Sequence, residues 1–213
     1  MSARPAAPWY VHPSQDAAAW RRLVEGCGLA FAVINVHNGP GTEPDPAYRA
    51  ALADGSATRL LGYVDVAYGA RPVRAVLAEA AEWRARYDVR AVFLDQVPST
   101  LRAGAWSLEV VDALRAADCE LVALNPGTVP HPDVVRVADV TCVFEGTVGQ
   151  HARAQYPAWL NASRESGVWH LIHSCPPWRQ QAALRRAARH GAQFAWATAG
   201  KPPNPWQQLQ KRW

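Results

Sequence analysis

The sequence predicts one compact (β/α)8 barrel of the TIM type, and three observations lead there. Eight short apolar runs alternate with Ala- and Arg-rich amphipathic stretches. No linker-like segment interrupts the alternation, and strands separated by helices pair in parallel through crossovers. The apolar runs also end, one after another, in polar or ionisable residues, and a barrel of this kind builds its site at the C-terminal ends of its strands. The alternative is a doubly wound open sheet. That fold would want a G-x-G-x-x-G loop after an early strand, which this chain lacks.

The elements follow in order. Strands are predicted at residues 8–11, 29–35, 59–66, 90–95, 120–125, 140–145, 168–173 and 193–198, each a short apolar run. Helical patterns fill the intervals at 16–25, 47–54, 72–87, 105–116, 132–137, 152–166 and 177–189. A short closing helix is predicted at 205–211. Pro72, Pro132 and Pro177 fall where a first helical turn accepts proline, because the missing N–H has no intrahelical partner there. Eight such units use the whole of residues 1–213, so the expectation is a single domain.

Composition narrows the class. The chain of 213 residues is 49% hydrophobic and 19% charged, near globular averages, which argues against a disordered or fibrous chain. Its net charge of +4 comes from 20 Arg and 2 Lys against 18 acidic residues. The arginines are scattered through helical stretches rather than bunched, so nucleic acid is not an expected partner. The longest clean apolar run, 29–34, is far short of the roughly 20 residues of a membrane span. Residues 1–5 carry no apolar leader, giving the expectation of a cytoplasmic protein, or a secreted one if a leader precedes Met1. Ten tryptophans are a high number, readable as a large core or as a sugar-stacking cleft.

Cys27, Cys119, Cys142 and Cys175 are widely spaced and form no C-x-x-C, which reads as small reduced core residues. His170 and His173 mimic an H-x-x-H pair, but positions three apart on a strand face opposite ways, so no metal site is expected. No cofactor is implied, and the oligomeric state is left open.

The strand ends carry Tyr10 and His12, Asn35 and His37, Tyr63 and Asp65, Asp95 and Gln96, Asn125, Glu145, His173 and Thr198. In Ala91-Val92-Phe93-Leu94-Asp95, residues 91, 93 and 95 share one face; in Thr141-Cys142-Val143-Phe144-Glu145, residues 141, 143 and 145 do. With those faces turned inward, Asp95 and Glu145 converge on the mouth. Two convergent carboxylates are the minimum equipment for cleaving a glycosidic bond. Each residue also has a plainer reading: a strand-end carboxylate can cap a helix, Tyr63 and His173 can be core residues, and Asn125-Pro126-Gly127 and Asn38-Gly39-Pro40-Gly41 can be turns.

Ordered stretches run nearly the full length: Pro8-Trp9-Tyr10-Val11-His12-Pro13, Ile34-Asn35-Val36-His37-Asn38-Gly39-Pro40-Gly41-Thr42, Leu61-Gly62-Tyr63-Val64 with Tyr68-Gly69 and Arg71, and Val92-Phe93-Leu94-Asp95. Leu124-Asn125-Pro126-Gly127-Thr128, Ala138-Asp139, Val143-Phe144-Glu145-Gly146 and Asn204-Pro205-Trp206 continue the series. In these motifs the chain resembles the spherulin-4, or spherulation-specific family 4, proteins. The resemblance implies a (β/α)8 barrel and endo-acting hydrolysis of α-1,4-linked N-acetylgalactosamine or galactosamine exopolysaccharides, in relatives commonly exported or membrane-tethered. It ties catalysis to an Asp-Glu pair after the fourth strand and to the Glu of Phe-Glu-Gly. Carried over, these are Asp95, position 96 and Glu145.

Position 96 departs from the pattern by holding Gln, whose amide neither gives nor takes a proton in acid–base catalysis. Asp65 departs too, and can supply a third carboxylate or pair with Arg71. Beside the plainer reading of an accessory or developmental protein without a sugar ligand, two glycan functions therefore stand: a glycoside hydrolase working through Asp95 and Glu145, or a carbohydrate-binding barrel weakened by Gln96. In either, Gln96, Tyr10, His12, Asn35, His37, Asn38, Tyr63, Asp65, Tyr68, Asn125, His173 and Trp206 are the expected substrate contacts, and a poly- or oligosaccharide is the partner.

Overall fold

In a computed structural model, residues 2–162 and 166–207 are described. Nine parallel strands form a nearly closed barrel with helices between them. In chain order they are β1 (Arg4–Pro5), β2 (Ala7–Trp9), α1 (Ala17–Gly26), β3 (Ala32–Ile34), α2 (Pro46–Leu52), β4 (Leu60–Asp65), α3 (Val73–Tyr87), β5 (Ala91–Asp95) and α4 (Leu101–Ala116). There follow β6 (Leu121–Asn125), α5 (Pro132–Val137), β7 (Val140–Thr147), α6 (Val148–Arg153), α7 (Trp159–Ala162), β8 (Gly167–His173), α8 (Pro177–Arg189) and β9 (Phe194–Ala197). The strand order is β1-β9-β8-β7-β6-β5-β4-β3-β2. β1 and β2 are two halves of one barrel strand: Arg4 pairs with Phe194 of β9, and Ala7 with Ala32 of β3. The ring closes through Ala6, whose carbonyl accepts the Trp169 indole N–H at 3.0 Å.

The tryptophan count is mostly a core count. Trp9, Trp20, Trp83, Trp169 and Trp196 are fully buried. Trp169 fills the barrel interior edge-on to Phe31 and Phe93, with ring centroids 4.9 and 5.7 Å away. Wide aromatics thus do what layers of branched aliphatics do in most such barrels. Gly62 admits α3 to β4: a Cβ there would meet the Trp83 ring at 2.5 Å, and the Trp83 indole instead reaches the Tyr63 carbonyl at 2.9 Å.

Three expectations need correction. The helix predicted at 152–166 is instead α6 and α7. Thr147 and Gln150 form a capping box that starts α6 early, and Pro157 steers the preceding Tyr156 out of helical backbone. The closing helix predicted at 205–211 is absent over 205–207, where the chain is an irregular strap; 208–211 lie outside the described residues.

The third correction concerns β7, where the inward phase 141/143/145 is broken by a bulge. Cys142 lies opposite Trp169, Phe144 opposite His170 and Glu145 opposite Leu171. Cys142 therefore faces the interior, whereas Val143 packs among Val135, Leu160, Val168 and Ala187 under the helices. The extra residue rephases the strand, and Glu145 still turns inward.

Candidate active site

At the C-terminal end of the barrel a cavity of about 200 Å3 is lined by Tyr10, Asn35, Tyr63, Asp95, Asn125, Glu145 and Trp206, among others. Asp95, Asn125 and Glu145 stand at the ends of the adjacent strands β5, β6 and β7, with Asp95 in register with Asn125. Asn125 joins the two carboxylates. Its Nδ2 donates to Asp95 Oδ1 at 2.8 Å and to Glu145 Oε2 at 2.7 Å. Its Oδ1 accepts the Gly127 N–H at 2.9 Å, which holds the amide with its NH2 toward the acids. With both bonds ending on one nitrogen, the two oxygens lie no more than about 5.5 Å apart.

The rest of the shell differs between the acids. Asp95 also accepts from the Tyr63 hydroxyl at 2.8 Å and from the Gln96 backbone N–H. Glu145 accepts from Asn125, and Trp206 beside it also favours its anion. Burial pushes both carboxyls above their usual range. The hydrogen bonds oppose this, and a neighbouring acid adds to it: Asp65 for Asp95, Asp95 for Glu145. Burial, with Asp95 beside it, raises the Tyr63 phenol, so Tyr63 stays a donor. Tyr10 is raised in the same way and meets Tyr63 edge-on at 5.9 Å.

The strap over 202–206 roofs this cavity. Asn204 Nδ2 donates to the Tyr10 carbonyl at 3.3 Å and the Tyr10 N–H to the Trp206 carbonyl at 3.2 Å. Gly200 lets it pass, since a Cβ there would meet the Pro205 carbonyl oxygen at 2.0 Å.

Not every expected contact reaches the cavity. Tyr10, Asn35, Tyr63, Asp95, Asn125, Glu145 and Trp206 line it. His12 is held at the side by Asp45 at 3.1 Å and by Ser14. His37 and Asn38 are exposed on the loop after β3, and Tyr68 is exposed on the rim after β4. His173, its imidazole pushed down by burial, packs edge-on to Trp206 at 6.1 Å. Gln96 Nε2 donates to Asp65 Oδ2 at 3.2 Å, outside the lining. Asp65 does not form an ion pair with Arg71: that guanidinium reaches the Asp65 backbone carbonyl and pairs with Glu79. Pro203, Asn204 and Pro205 are lining residues that strand-end reasoning missed, although Asn204-Pro205-Trp206 was a visible motif.

A larger cavity, about 710 Å3, opens at the opposite end beside Arg4, Arg59, Arg90 and Glu120. Its two acids, Asp88 and Glu120, share the lining with Arg4, Arg59 and Arg90, and in barrels the chemistry sits at the C-terminal face. Among the described residues, no three His, Cys, Asp or Glu side chains gather as a metal site, and no helix is long and apolar enough to cross a membrane.

The chain is thus a parallel (β/α) barrel with two carboxylates linked through one amide at its C-terminal mouth. The comparisons narrow that class: the signature of spherulation-specific family 4 matches residues 6–213, and the chain belongs to this family. Spherulin-4 of Physarum polycephalum is 26% identical over 172 residues, covering 75% of this chain and 51% of that protein; the chain thus spans about half the length of this curated relative. Aspergillus clavatus Sph3, crystallised in complex with GalNAc, shares the fold at a TM-score of 0.78 and 24% identity, over 99% of this chain and 94% of that one. A chain of the Amycolatopsis orientalis BexX/CysO complex is more distant, with a TM-score of 0.52 and 16% identity over 92% and 81% of the two chains.

Proposed function

We propose that the chain is an endo-acting glycoside hydrolase of α-1,4-linked N-acetylgalactosamine or galactosamine polymers, with Glu145 as general acid and Asp95 as nucleophile. The carrying observation is the single Asn125 nitrogen that binds both carboxylates. The shared donor keeps their nearest oxygens within about 5.5 Å, which favours the closely set carboxyl pair of a retaining glycosidase over the wider pair of an inverting one. The roles follow from the donors. Asp95 has Tyr63, Asn125 and the Gln96 backbone favouring its anion and Asp65 opposing it; Glu145 has Asn125 and Trp206 and faces Asp95, and this smaller set of donors supports Glu145 as the acid.

In the first step Asp95 bonds to the anomeric carbon while Glu145 gives its proton to the departing glycosidic oxygen. Water then attacks the same carbon, Glu145 takes its proton, and the Asp95–sugar bond breaks. Asn125 holds both groups through the sequence. The likeness to Sph3, whose structure contains GalNAc, supports an amino-sugar substrate.

A second reading, a binding barrel without turnover, is favoured by Gln96 alone, because it removes an acid where the family resemblance expects one. Incubation with galactosaminogalactan oligomers separates the two. Cleavage by the wild type, lost in Asp95→Asn and Glu145→Gln, with NMR showing retained anomeric configuration, is the expected result. Binding without product sinks the hydrolase reading, and inverted product sinks the nucleophile role of Asp95.

A further inference from the structure

Among the described residues, three large hydrophobic side chains are exposed: Tyr68, Leu108 and Trp178. Single exposed apolar residues are ordinary, but the placement of two of these is not random. Tyr68, 70% exposed, follows the C-terminal end of β4; Trp178, 81% exposed, opens α8 just after β8. Counting either way round the ring, with β1 and β2 as one strand, β4 and β8 are four places apart. The two residues therefore follow strand ends at opposite poles of the mouth. Asp95, Asn125 and Glu145 come from β5, β6 and β7, the three strands between them.

Both residues sit on well-tied backbone. Tyr68 adopts φ 54°, a conformation disfavoured for a bulky residue. It is kept there by its N–H to the Gln96 carbonyl at 2.8 Å, and by the Ala67 N–H to Asp65 Oδ1 at 2.7 Å. Trp178 follows Pro176 and Pro177, and the loop before it is tied to the β9 end by Ser174 N–H to the Gly200 carbonyl and Cys175 N–H to the Thr198 carbonyl, both 2.8 Å. A large ring on a fixed backbone loses little freedom when a ligand settles on it.

The cavity between them, about 200 Å3, is smaller than the pockets of roughly 300 Å3 and more that enclose drug-sized ligands. It accommodates one sugar ring, and further units of a polymer must lie along the rim.

We propose that Tyr68 and Trp178 are stacking platforms at the two ends of a polysaccharide track across the barrel mouth, each presenting an aromatic face to the C–H face of a galacto-configured ring. This rests on the glycan reading above and extends it to substrate length: the preferred ligand is a chain that reaches both rings.

Calorimetric titration of the Glu145→Gln protein and of the wild type with galactosaminogalactan oligomers of graded length tests the assignment. Affinity should climb with length until both rings are spanned. Trp178→Ala and Tyr68→Ala should each weaken long-chain binding about tenfold, Trp178→Phe should recover most of the loss, and Leu108→Ala, away from the mouth, should change nothing. Long-chain binding unaltered by Trp178→Ala, or an alanine loss that phenylalanine does not recover, overturns the platforms and leaves the catalytic reading standing. Failure of both parent proteins to bind or cleave any oligomer overturns the glycan reading itself and the platforms with it.

Discussion

Gln96 Nε2 lies 3.2 Å from Asp65 Oδ2, so the amide at the position where the family resemblance implies an acid is bonded along the rim from β5 to β4 and does not line the cavity. A carboxylate at position 96 would face Asp65. Gln96→Glu should therefore destabilise the protein by about 1 kcal/mol, from a lost hydrogen bond and a new like-charge contact, without raising turnover. Thermal melts and initial rates on oligomers read both effects. A tenfold gain in rate would instead move the acid role to position 96 and mean that the natural site is disarmed.

Asn125 is the joint of the acid pair. Removing its amide by Asn125→Ala frees both carboxylates from their common donor while their strands persist. We expect kcat to fall about 100-fold, the scale of losing a group that orients a reacting residue, with KM changing much less. Circular dichroism of the variant guards against unfolding, and an unchanged kcat would deny Asn125 its role.

The raised carboxyls make a prediction about stability. Their folded pKa values lie above the unfolded ones, so the folded state is penalised as pH rises through the carboxylate range and upward. Asp95→Asn and Glu145→Gln should each raise Tm at pH 7 while abolishing turnover. The gain should shrink as pH drops below the usual carboxylate range, where wild-type acids are also neutral. Melting curves from pH 3 to 8 check the sign.

A second buried group acts in the opposite direction. His151 and His170, 3.0 Å apart behind β8, are pushed down to about 4 and about 3, by burial first and then by neighbouring positive groups: Arg186 and His190 for His151, His151 itself for His170. They fold neutral, so their contribution is complete above the unfolded value near 6.5 and is lost as pH falls toward 4. Acidification across that window should cost on the order of a few kcal/mol. The double variant His151→Phe, His170→Phe should flatten the dependence in denaturant titrations at pH 7, 5 and 4.

Much of this architecture was legible because barrel strands announce their ends. Asp95, Asn125, Glu145, Tyr63 and Asn35 were found by reading the last polar residue of each apolar run, and all five line the cavity. The bulge in β7 was not legible, since Thr141-Cys142-Val143-Phe144 tolerates burial on either face, and only the pairing with β8 shows the shift. His12 misled for a related reason: β2 ends at Trp9, leaving His12 three residues beyond, where Asp45 captures it. The strap eluded prediction because Pro205 was read as opening a helix, while the contacts that hold the segment extended come from Tyr10, far away in sequence.

The strap also sets an order of events in time. β1 completes the ring only against β9, and Trp206 reaches Tyr10 only once residue 206 has been made. On the ribosome, the strands bearing Asp95, Asn125 and Glu145 emerge long before the segment that shelters them. A chain halted before residue 202 would thus lack Pro203, Asn204, Pro205 and Trp206, four of the residues that line the acidic pocket.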